Sequence, residues 1–448
     1  MVQTPNATTN ACKLCTPLGA CWAFRGVEGA VPFLHGSQGC STYIRRYLIS
    51  HFNEPMDVAS SNFSEASTIF GGGDNLKAGL RNVTRKYQPS LIGVATTCLS
   101  ETIGDDVPLL LLQYRQEDDP ATMPHLVHVS TPSYQGTHVD GFHLAVTALV
   151  KSLAHGGAPQ KHVNLLPGMV SPADLRYLKE LLADFNLPSV MLPDFSDTLD
   201  APIAKECEGI PAGGTPIAAI KQMGRARATL EFGRAHNNAD TAGKYLREQF
   251  GVHWHRLGVP IGLRETDRLC QALEKISTRV MPQKHRQERG RLIDAMVDGH
   301  KYLSGMKAVI YGEEDLVIGL FSFLTEIGIV PVVCASGGES GHFAEGLHAV
   351  AKESAVQPHI LAGADFLAIE EAAKEYGAEL LIGHSKGYAM ARRLQVPLIR
   401  VGFPIHDRLG GQRLLHLGYR GALALYDLIV NTVIARKQES SPVGYSYM

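Results

Sequence analysis

The chain has 448 residues, which is too many for a single hydrophobic core and fits two or three domains of ordinary size. Hydrophobic residues make up 45% of the sequence and charged residues 19%, as in a typical soluble globular protein. With a net charge of −2, the protein has no global positive field that would attract nucleic acid or an anionic membrane. The sequence contains no apolar run of the roughly 18 residues that a membrane span needs, and its polar N-terminus lacks an apolar signal core. We therefore expect a cytoplasmic protein whose partners are neither nucleic acid nor membrane.

The first predicted domain, residues 1–158, alternates strands with helices. An apolar run, "GAVPFL", leads through "HGSQGC" at residues 35–40 into a predicted helix over "STYIRRYLISHF". The run "SLIGVATTC" predicts a strand that ends at Cys98, and "HLVHVSTPS" predicts a strand that ends at Ser133. A helix over "GFHLAVTALVKSLAHGG" closes this block, and its terminal glycines are typical of a helix end.

Two further predicted domains repeat the alternation, at residues 159–300 and 301–448. In the second, a strand at "KHVNLLPG" precedes the helix "SPADLRYLKELLADFN", with Ser171 as its N-cap and Asp174 three residues later. A long helix over "RQERGRLIDAMVDGHKYLSG" leads to the third domain. That domain is the most regular, with predicted strands at "KAVIYG", "VPVVCAS", "AELLIGHS" and "VPLIRVGFP".

This pattern predicts an α/β fold of three Rossmann-like domains, each with a parallel sheet flanked by helices. Such sheets bind ligands beyond the carboxyl ends of their strands, and Cys40, Cys98 and Ser133 each come just past a predicted strand. The glycines at 71–73 and 212–214 have no Walker spacing, and the sequence contains no dinucleotide G-x-G-x-x-G. The ligand is therefore not expected to be a nucleotide.

The sequence has eight cysteines, which we expect to be reduced in the cytoplasm. Cys12 and Cys15 have the C-x-x-C spacing of zinc knuckles and thiol redox sites, yet the sequence offers no second pair and no preceding strand. Iron–sulfur clusters accept single cysteines from separate loops, which fits Cys40 and Cys98, although plain burial stays open as the alternative. For the remaining scattered cysteines, burial is the expected role: Cys207, Cys270 and Cys334.

Three cysteine motifs, "CTPLGA" at 15–20, "HGSQGC" at 35–40 and "ATTCLSETIGDD" at 95–106, resemble the P-cluster motifs of the nitrogenase component 1 β subunit. Further similar stretches follow in the same order as far as the C-terminus, and they include "HFNEP", "STPSYQGTHVDG", "NLLPG", "KAVIYGEEDLVIGL", "LIGHSKG" and "VPLIRVGFPIHDRLGGQRLLHLGYRGA". The resemblance therefore covers nearly the whole chain, and it implies the component 1 subunit fold of three α/β domains.

The resemblance also implies roles for individual residues. Cys15, Cys40 and Cys98 match the β-side ligands of the 8Fe-7S P-cluster, whose other half comes from three cysteines of an α-type subunit. Ser133 matches the serine that can ligate one iron in the oxidised cluster, although a turn hydroxyl that bonds local backbone explains this serine equally well. Neither Cys12 nor Cys21 has a ligand counterpart, and His35 is expected to be a structural hydrogen-bonding residue.

The family has several branches, and the resemblance implies an oxidoreductase subunit that relays electrons. Only eleven residues precede Cys12, whereas the molybdenum branch usually carries a long N-terminal extension. The N-type subunit of the cofactor-assembly scaffold has a similar length but often keeps only the cysteine of "HGSQGC", and it binds a smaller cluster, such as 4Fe-4S. We therefore expect a nitrogenase-like reductase of the methylthio-alkane reductase kind, with the scaffold subunit as the alternative. The implied partners are an α-type subunit in an α2β2 heterotetramer and an ATP-dependent iron protein.

Overall fold

The computed structural model describes residues 11–120, 122–203, 209–235, 240–354 and 356–443. Three sheets follow one another along the chain, and the strands of each sheet come from one of the three predicted ranges. All pairings within these sheets are parallel, and helices connect successive strands, as the predicted α/β class requires. The exact boundaries of the three domains stay predictions.

The first sheet has four strands in the order β2-β1-β3-β4. Strands β1 and β3 pair in register, and His35 lies opposite Thr96 at their carboxyl ends, so the segments that follow both strands emerge side by side. The elements of this block are α1 (Thr16–Arg25), β1 (Ala30–His35), α2 (Gln38–Phe52), β2 (Ala59–Ser60), α3 (Glu65–Phe70), α4 (Gly73–Tyr87), β3 (Leu91–Thr96), α5 (Cys98–Ile103), α6 (Val107–Glu117), β4 (His125–Val129) and α7 (His138–Leu153).

The second sheet has the order β6-β5-β7-β8. The predicted cap of α8 is confirmed, because Ser171 and Asp174 form a reciprocal capping box at the start of that helix. The elements are β5 (Val163–Leu166), α8 (Pro172–Asp184), β6 (Ser189–Met191), α9 (Ile217–Gln222), β7 (Ala228–Phe232), α10 (Ala242–Phe250), β8 (His253–Leu257), α11 (Gly262–Ser277) and α12 (Gln283–Leu303).

The third sheet has five strands in the order β11-β10-β9-β12-β13. The long final helix of this block, α17, packs back on α11 and α12 of the second block. The elements are β9 (Lys307–Gly312), α13 (Glu314–Glu326), β10 (Val330–Ser336), α14 (Phe343–Ala351), β11 (His359–Leu361), α15 (Phe366–Glu375), β12 (Leu380–Gly383), α16 (Tyr388–Leu394), β13 (Leu398–Arg400) and α17 (Gly418–Ser440).

Two predicted strands are shorter than expected. The strand predicted to reach Cys98 ends at Thr96, because Thr97 forms a capping box with Ser100 and turns the chain into helix α5. The strand predicted to reach Ser133 ends at Val129. Beyond that point the backbone N–H of Thr131 bonds to the Thr96 hydroxyl and its own hydroxyl bonds to the Thr96 carbonyl, which replaces the strand ladder.

Helix α1 was not anticipated, although every one of its residues is buried. It packs against α7 at two glycines where nothing larger fits. A Cβ atom at Gly19 would lie 1.7 Å from the carbonyl oxygen of His138, and one at Gly141 would lie 1.9 Å from that of Thr16. This close approach fixes the start of α1, and therefore Cys15, against the body of the protein.

The three blocks share a continuous hydrophobic core, which contains residues from all three sheets and from α1, α7, α11, α13 and α17. Two smaller clusters of buried residues lie in the first and third blocks. Among the helices in the described part of the chain, none has both the length and the apolar character that a membrane span requires.

Candidate functional site

Each of the three predicted ligand cysteines lies at the start of a helix. Cys15 is the N-cap residue of α1, Cys40 is in the first turn of α2, and Cys98 is the first residue of α5. Helices α2 and α5 follow the adjacent parallel strands β1 and β3, so Cys40 and Cys98 emerge at the same edge of the first sheet. Helix N-termini favour negative charge, which suits a thiolate ligand.

The turns that carry Cys40 and Cys98 are tied together. The Thr97 hydroxyl donates to the carbonyl oxygen of His35 at 3.1 Å, and the Thr97 backbone N–H donates to the same oxygen at 3.2 Å. A Cβ atom at Gly36 would lie 2.1 Å from Thr97 Oγ1, so this position requires glycine. By contrast, a Cβ at Gly39 would meet only the Ser37 hydroxyl at 3.8 Å, so packing within the chain does not require that second glycine.

Cys15 lies close to the other two thiols. Burial raises the pKa of Cys15 to about 11, and the nearby thiols of Cys40 and Cys98 add to that increase. These three cysteines, separated by as many as 83 positions in the sequence (15 to 98), therefore share one local environment. Without a positive partner the thiolate form of Cys15 is disfavoured, so a bound metal would have to displace its proton.

Ser133 lies beside Cys98, as predicted from the two strand ends. Its backbone N–H donates to the Cys98 sulfur at 3.2 Å, and the Ser37 hydroxyl donates to the Cys40 sulfur at 3.7 Å. Hydrogen bonds of this kind to ligand sulfur tune the reduction potential of iron–sulfur sites. We refer to Cys15, Cys40, Cys98 and Ser133 as the cysteine face.

Exposure separates these cysteines from the others. Cys15, Cys40 and Cys98 are each partly exposed, whereas the other described cysteines are buried: Cys12, Cys21, Cys270 and Cys334. The expectation of burial is thus confirmed for Cys270 and Cys334, and burial raises the pKa of both. The same expectation for Cys207 lies outside the described residues.

The C-x-x-C spacing does not produce a paired site. The Cys12 sulfur lies 3.6 Å from Nε2 of His384, and Cys12 packs in the small core of the third sheet. Burial raises the pKa of Cys12 to about 12. Cys15 instead packs against the large core near Cys40, so the two cysteines of the motif belong to different environments.

His35 has the structural role that the sequence indicated. The side chain is fully buried, with Nδ1 at 3.1 Å from the Ser61 hydroxyl and Nε2 at 2.9 Å from Asp105 Oδ2. Burial lowers the pKa of His35, and the hydrogen bond to Asp105 opposes that shift. The His35–Asp105 pair therefore links the segment before Cys40 to the segment after Cys98.

Sequence reasoning missed a second link, which is made by Glu101. Its carboxylate accepts hydrogen bonds from the hydroxyls of Thr96 and Ser130, so it joins the ends of β3 and β4 beneath Cys98 and Ser133. The sequence feature that could have indicated this link is a carboxylate one turn after Cys98, within the motif "ATTCLSETIGDD".

The cysteine face fits a metal cluster shared with another chain better than a single ion. Among the described residues, no three His, Cys, Asp or Glu side chains are placed to hold one metal ion. Three partly exposed thiols on one face, with an N–H donor to sulfur, are instead a donor set for an iron–sulfur cluster with further ligands from outside the chain. The chemistry of these residues therefore fits an iron–sulfur cluster.

Exposed apolar side chains lie next to these thiols. Tyr43 is 55% exposed and lies one turn after Cys40, while Tyr134, 62% exposed, directly follows Ser133. Phe70 is 87% exposed and belongs to α3, which packs against α5. We refer to Tyr43, Ile69, Phe70 and Tyr134 as the apolar rim. Exposed apolar groups around a functional site are typical of a surface that another protein covers.

Comparison with known proteins places the cysteine face and the apolar rim in the context of a family. The family described as nitrogenase component 1 type oxidoreductase matches residues 15–434. This chain belongs to that family. It is thus a β-type subunit of a nitrogenase-like oxidoreductase, and the family carries iron–sulfur clusters. The match begins at Cys15 and includes all three blocks.

Relatives of this component 1 chain include both enzyme and assembly proteins. The nitrogenase molybdenum-iron protein beta chain of Clostridium pasteurianum is 36% identical over 430 residues, covering 95% of this chain and 93% of the relative. The nitrogenase iron-molybdenum cofactor biosynthesis protein NifN of Bradyrhizobium diazoefficiens is 36% identical over 445 residues, covering 97% and 92%.

A chain of the solved structure titled "Nitrogenase Cp1 at pH 6.5" superposes with a TM-score of 0.95 at 34% identity, covering 100% of this chain and 98% of that one. This likeness confirms the predicted component 1 subunit fold. Because this chain covers 93% of the clostridial beta chain, chain length does not separate the molybdenum branch from the others, contrary to our expectation from the sequence.

Proposed function

We propose that this chain is the β-type subunit of a nitrogenase-like component 1 reductase, for example a methylthio-alkane reductase, and that it holds half of an 8Fe-7S P-cluster. The observation that carries the proposal is the convergence of Cys15, Cys40 and Cys98, all partly exposed, on one face at helix starts. Retention of all three cysteines distinguishes this chain from scaffold subunits that keep one.

The residues of the cysteine face have separate tasks. When bound, an iron–sulfur cluster takes up and releases single electrons. The thiolates of Cys15, Cys40 and Cys98 would ligate iron, and the Ser133 N–H stabilises negative charge on the Cys98 sulfur. The Ser133 hydroxyl would supply the additional ligand of the oxidised state. The links through Asp105 and Glu101 hold these turns in place while the charge of the site changes.

The exposure of the apolar rim favours an interface with an α-type partner. The resemblance implies that this partner contributes three further cysteines. Thiolates on one side only would leave iron open to solvent, so the partner has to cover the rim and complete the site. Two such dimers form the proposed α2β2 complex in the cytoplasm, with neither nucleic acid nor membrane as a partner. An ATP-dependent iron protein supplies electrons, which pass through this subunit to the catalytic cofactor of the α-type subunit.

The second candidate is the N-type subunit of the cofactor-assembly scaffold, with 4Fe-4S as the possible cluster. The observation that favours it is the similarity to NifN, which is as high as the similarity to the clostridial beta chain, at 36%. Both candidates share the same fold and the same interface, and they differ in whether the complex turns over substrate.

The test is ATP-dependent reduction by the purified complex of this chain with its α-type partner, assayed with the iron protein. We expect reduction of a methylthio-alkane, with electron transfer lost in the Cys98→Ala complex. Reduction of dinitrogen instead would retain the relay role but replace the proposed substrate. Transfer of a precursor cluster without turnover would establish the scaffold role. A complex without iron would overturn both candidates.

A further inference from the structure

The first two of the three glycines at residues 71–73 pack against the side chain of Asp105, which is 9% exposed. A Cβ atom at Gly71 would lie 3.1 Å from Asp105 Oδ1, and the φ angle of Gly71, +95°, falls in the region that favours glycine. A Cβ at Gly72 would lie 3.0 Å from Asp105 Oδ2 and 2.2 Å from the ring of Phe63. These glycines therefore leave room for a carboxylate, which explains a glycine run that has no nucleotide-binding spacing.

The Asp105 carboxylate joins three segments of the first block. Its Oδ2 lies 2.9 Å from Nε2 of His35 at the end of β1, and it accepts from the backbone N–H of Gly72 at 3.0 Å. The Asp105 N–H donates to the carbonyl oxygen of Ser100 at 3.2 Å, which fixes the carboxylate to the end of α5, the helix that begins at Cys98. One nearly buried side chain thus connects a strand end, a ligand helix and the glycine turn.

From His35 a chain of hydrogen bonds continues to the turn that carries Cys40. Nδ1 of His35 lies 3.1 Å from the Ser61 hydroxyl, and that hydroxyl oxygen accepts from the backbone N–H of Gly36 at 2.9 Å. A carboxylate accepts hydrogen bonds but cannot donate them, so Nε2 of His35 donates to Asp105 and Nδ1 is left to accept from Ser61. Asp105 therefore sets the direction of every bond in this chain as far as Gly36.

The opposite end of the arrangement leads to the apolar rim. Ile69 and Phe70 are the last two residues of α3, and they are 72% and 87% exposed. Because most of their surface is free, packing within the chain does little to hold these two side chains. Gly71 and Gly72 follow them directly, so the bond from Gly72 to Asp105 ties the turn after the rim residues to the end of α5.

From these contacts we propose that Asp105 is a positioning residue that couples the apolar rim to the cysteine face. A partner that covers Phe70 displaces or orders the glycine turn, and Asp105 transmits this change to Cys98 through α5 and to Cys40 through His35. Such coupling is reciprocal, so iron at the cysteine face also orders the rim. The inference rests on the proposed iron–sulfur role, in which Asp105 orients ligands without touching iron.

Hydrogen–deuterium exchange and iron analysis of the two-chain complex provide the test. In Asp105→Ala, we expect amides in residues 36–40 and 69–73 to exchange at least about tenfold faster, because both turns lose one anchor. Iron content should fall at least about twofold, since groups that orient metal ligands contribute to metal affinity. Asp105→Asn keeps an acceptor for Gly72 and a partner for His35, so it should restore both properties to within about twofold.

Two further variants separate the branches of the arrangement. Ser61→Ala breaks the chain beyond His35, so exchange should rise in residues 36–40 but stay unchanged in residues 69–73. Asp106→Ala is the matched control at the next position, because Asp106 caps α6 through the Leu109 N–H at 3.0 Å. It should loosen the start of α6 and leave both turns and the iron content as they are.

EPR spectroscopy distinguishes positioning from general loss of stability. Asp174→Ala removes a buried carboxylate of the second block that accepts two backbone hydrogen bonds, at 2.8 and 3.0 Å. The iron that remains should give an altered EPR signal in Asp105→Ala and an unaltered one in Asp174→Ala. If Asp105→Ala yields no complex, Asp105→Glu is measured instead, because its longer side chain should displace both turns.

Three results would overturn the coupling: unchanged exchange in residues 69–73 of Asp105→Ala, equal effects of Asp105→Ala and Asp106→Ala, or an unaltered iron content and EPR signal. In each case the original complex still contains iron, so the proposed iron–sulfur role would stand. An original complex without iron would overturn that role and the coupling together.

Discussion

Cys15 and Cys12 are three residues apart in sequence, but their surroundings have opposite properties. Cys15, on the cysteine face, is partly exposed and lies near two other thiols, whereas Cys12 is buried beside His384 between the first and third blocks. The same residue type is therefore a candidate ligand in one place and a packing residue in the other. What separates them is the fold, since Cys15 begins helix α1 and Cys12 packs on the third sheet.

The largest effect is expected from removal of a thiol on the cysteine face. Cys98→Ala should lower the iron content of the two-chain complex and abolish electron transfer, because the alanine side chain cannot ligate iron in place of the thiolate. Cys334→Ala is the control, since it removes a fully buried thiol from β10. It should cost about 1–2 kcal/mol of stability but retain iron. Equal iron in the two variants, measured by iron analysis, would contradict the assignment.

The next largest effect tests how Cys15 is positioned. Gly19→Ala should destabilise the protein by about 3 kcal/mol or more, because the added methyl group collides with the His138 carbonyl and forces α1 away from α7. Gly290→Ala in α12 is the matched control, because nothing lies within 4 Å of its added Cβ, and it should be neutral or slightly stabilising. Thermal unfolding of both variants checks this, and an unchanged midpoint for Gly19→Ala would show that α1 is not fixed by this contact.

A pH-dependent effect of similar size is expected at Glu313, which directly follows β9. Burial raises the pKa of Glu313 to about 8, so between its ordinary pKa and 8 only the unfolded state ionises, and stability falls as the pH rises. Glu313→Gln does not titrate there. It should match the stability of the original protein near pH 4.5 and exceed it by about 4 kcal/mol near pH 8.

Thermal midpoints measured across this pH range test the Glu313 prediction. Glu371→Gln, at an exposed position, should leave the profile unchanged. A constant difference between Glu313→Gln and the original protein at every pH would show that Glu313 is already ionised in the folded state.

The smallest effect is expected for the other half of the C-x-x-C motif. Cys12→Ala removes a buried sulfur and its contact with His384, which should cost about 1 kcal/mol and leave the iron content intact. Cys15→Ala should lose iron as Cys98→Ala does. If both variants of the motif lost iron equally, Cys12 would have to be a ligand, and the contrast between the two regions would fail.

Much of this contrast could be predicted from sequence. Strand ends place Cys40, Cys98 and Ser133 at one edge, because parallel strands share the direction of their carboxyl ends. Helix α1 was missed, since a fully buried helix shows no alternation of polar and apolar residues from which to recognise it. The resemblance already separated Cys15 from Cys12, but the surroundings of Cys12 could not be predicted, because its neighbour His384 is 372 positions away in the chain.

The central claim is that the cysteine face is half of a cluster site completed by another chain. Iron analysis and EPR spectroscopy, applied to this chain purified alone and purified with its α-type partner, test it most directly. We predict little or partial iron in the isolated chain, and in the complex a full iron load whose EPR signal changes on oxidation. A stable isolated chain with a complete cluster, or a complex without iron, would contradict the account.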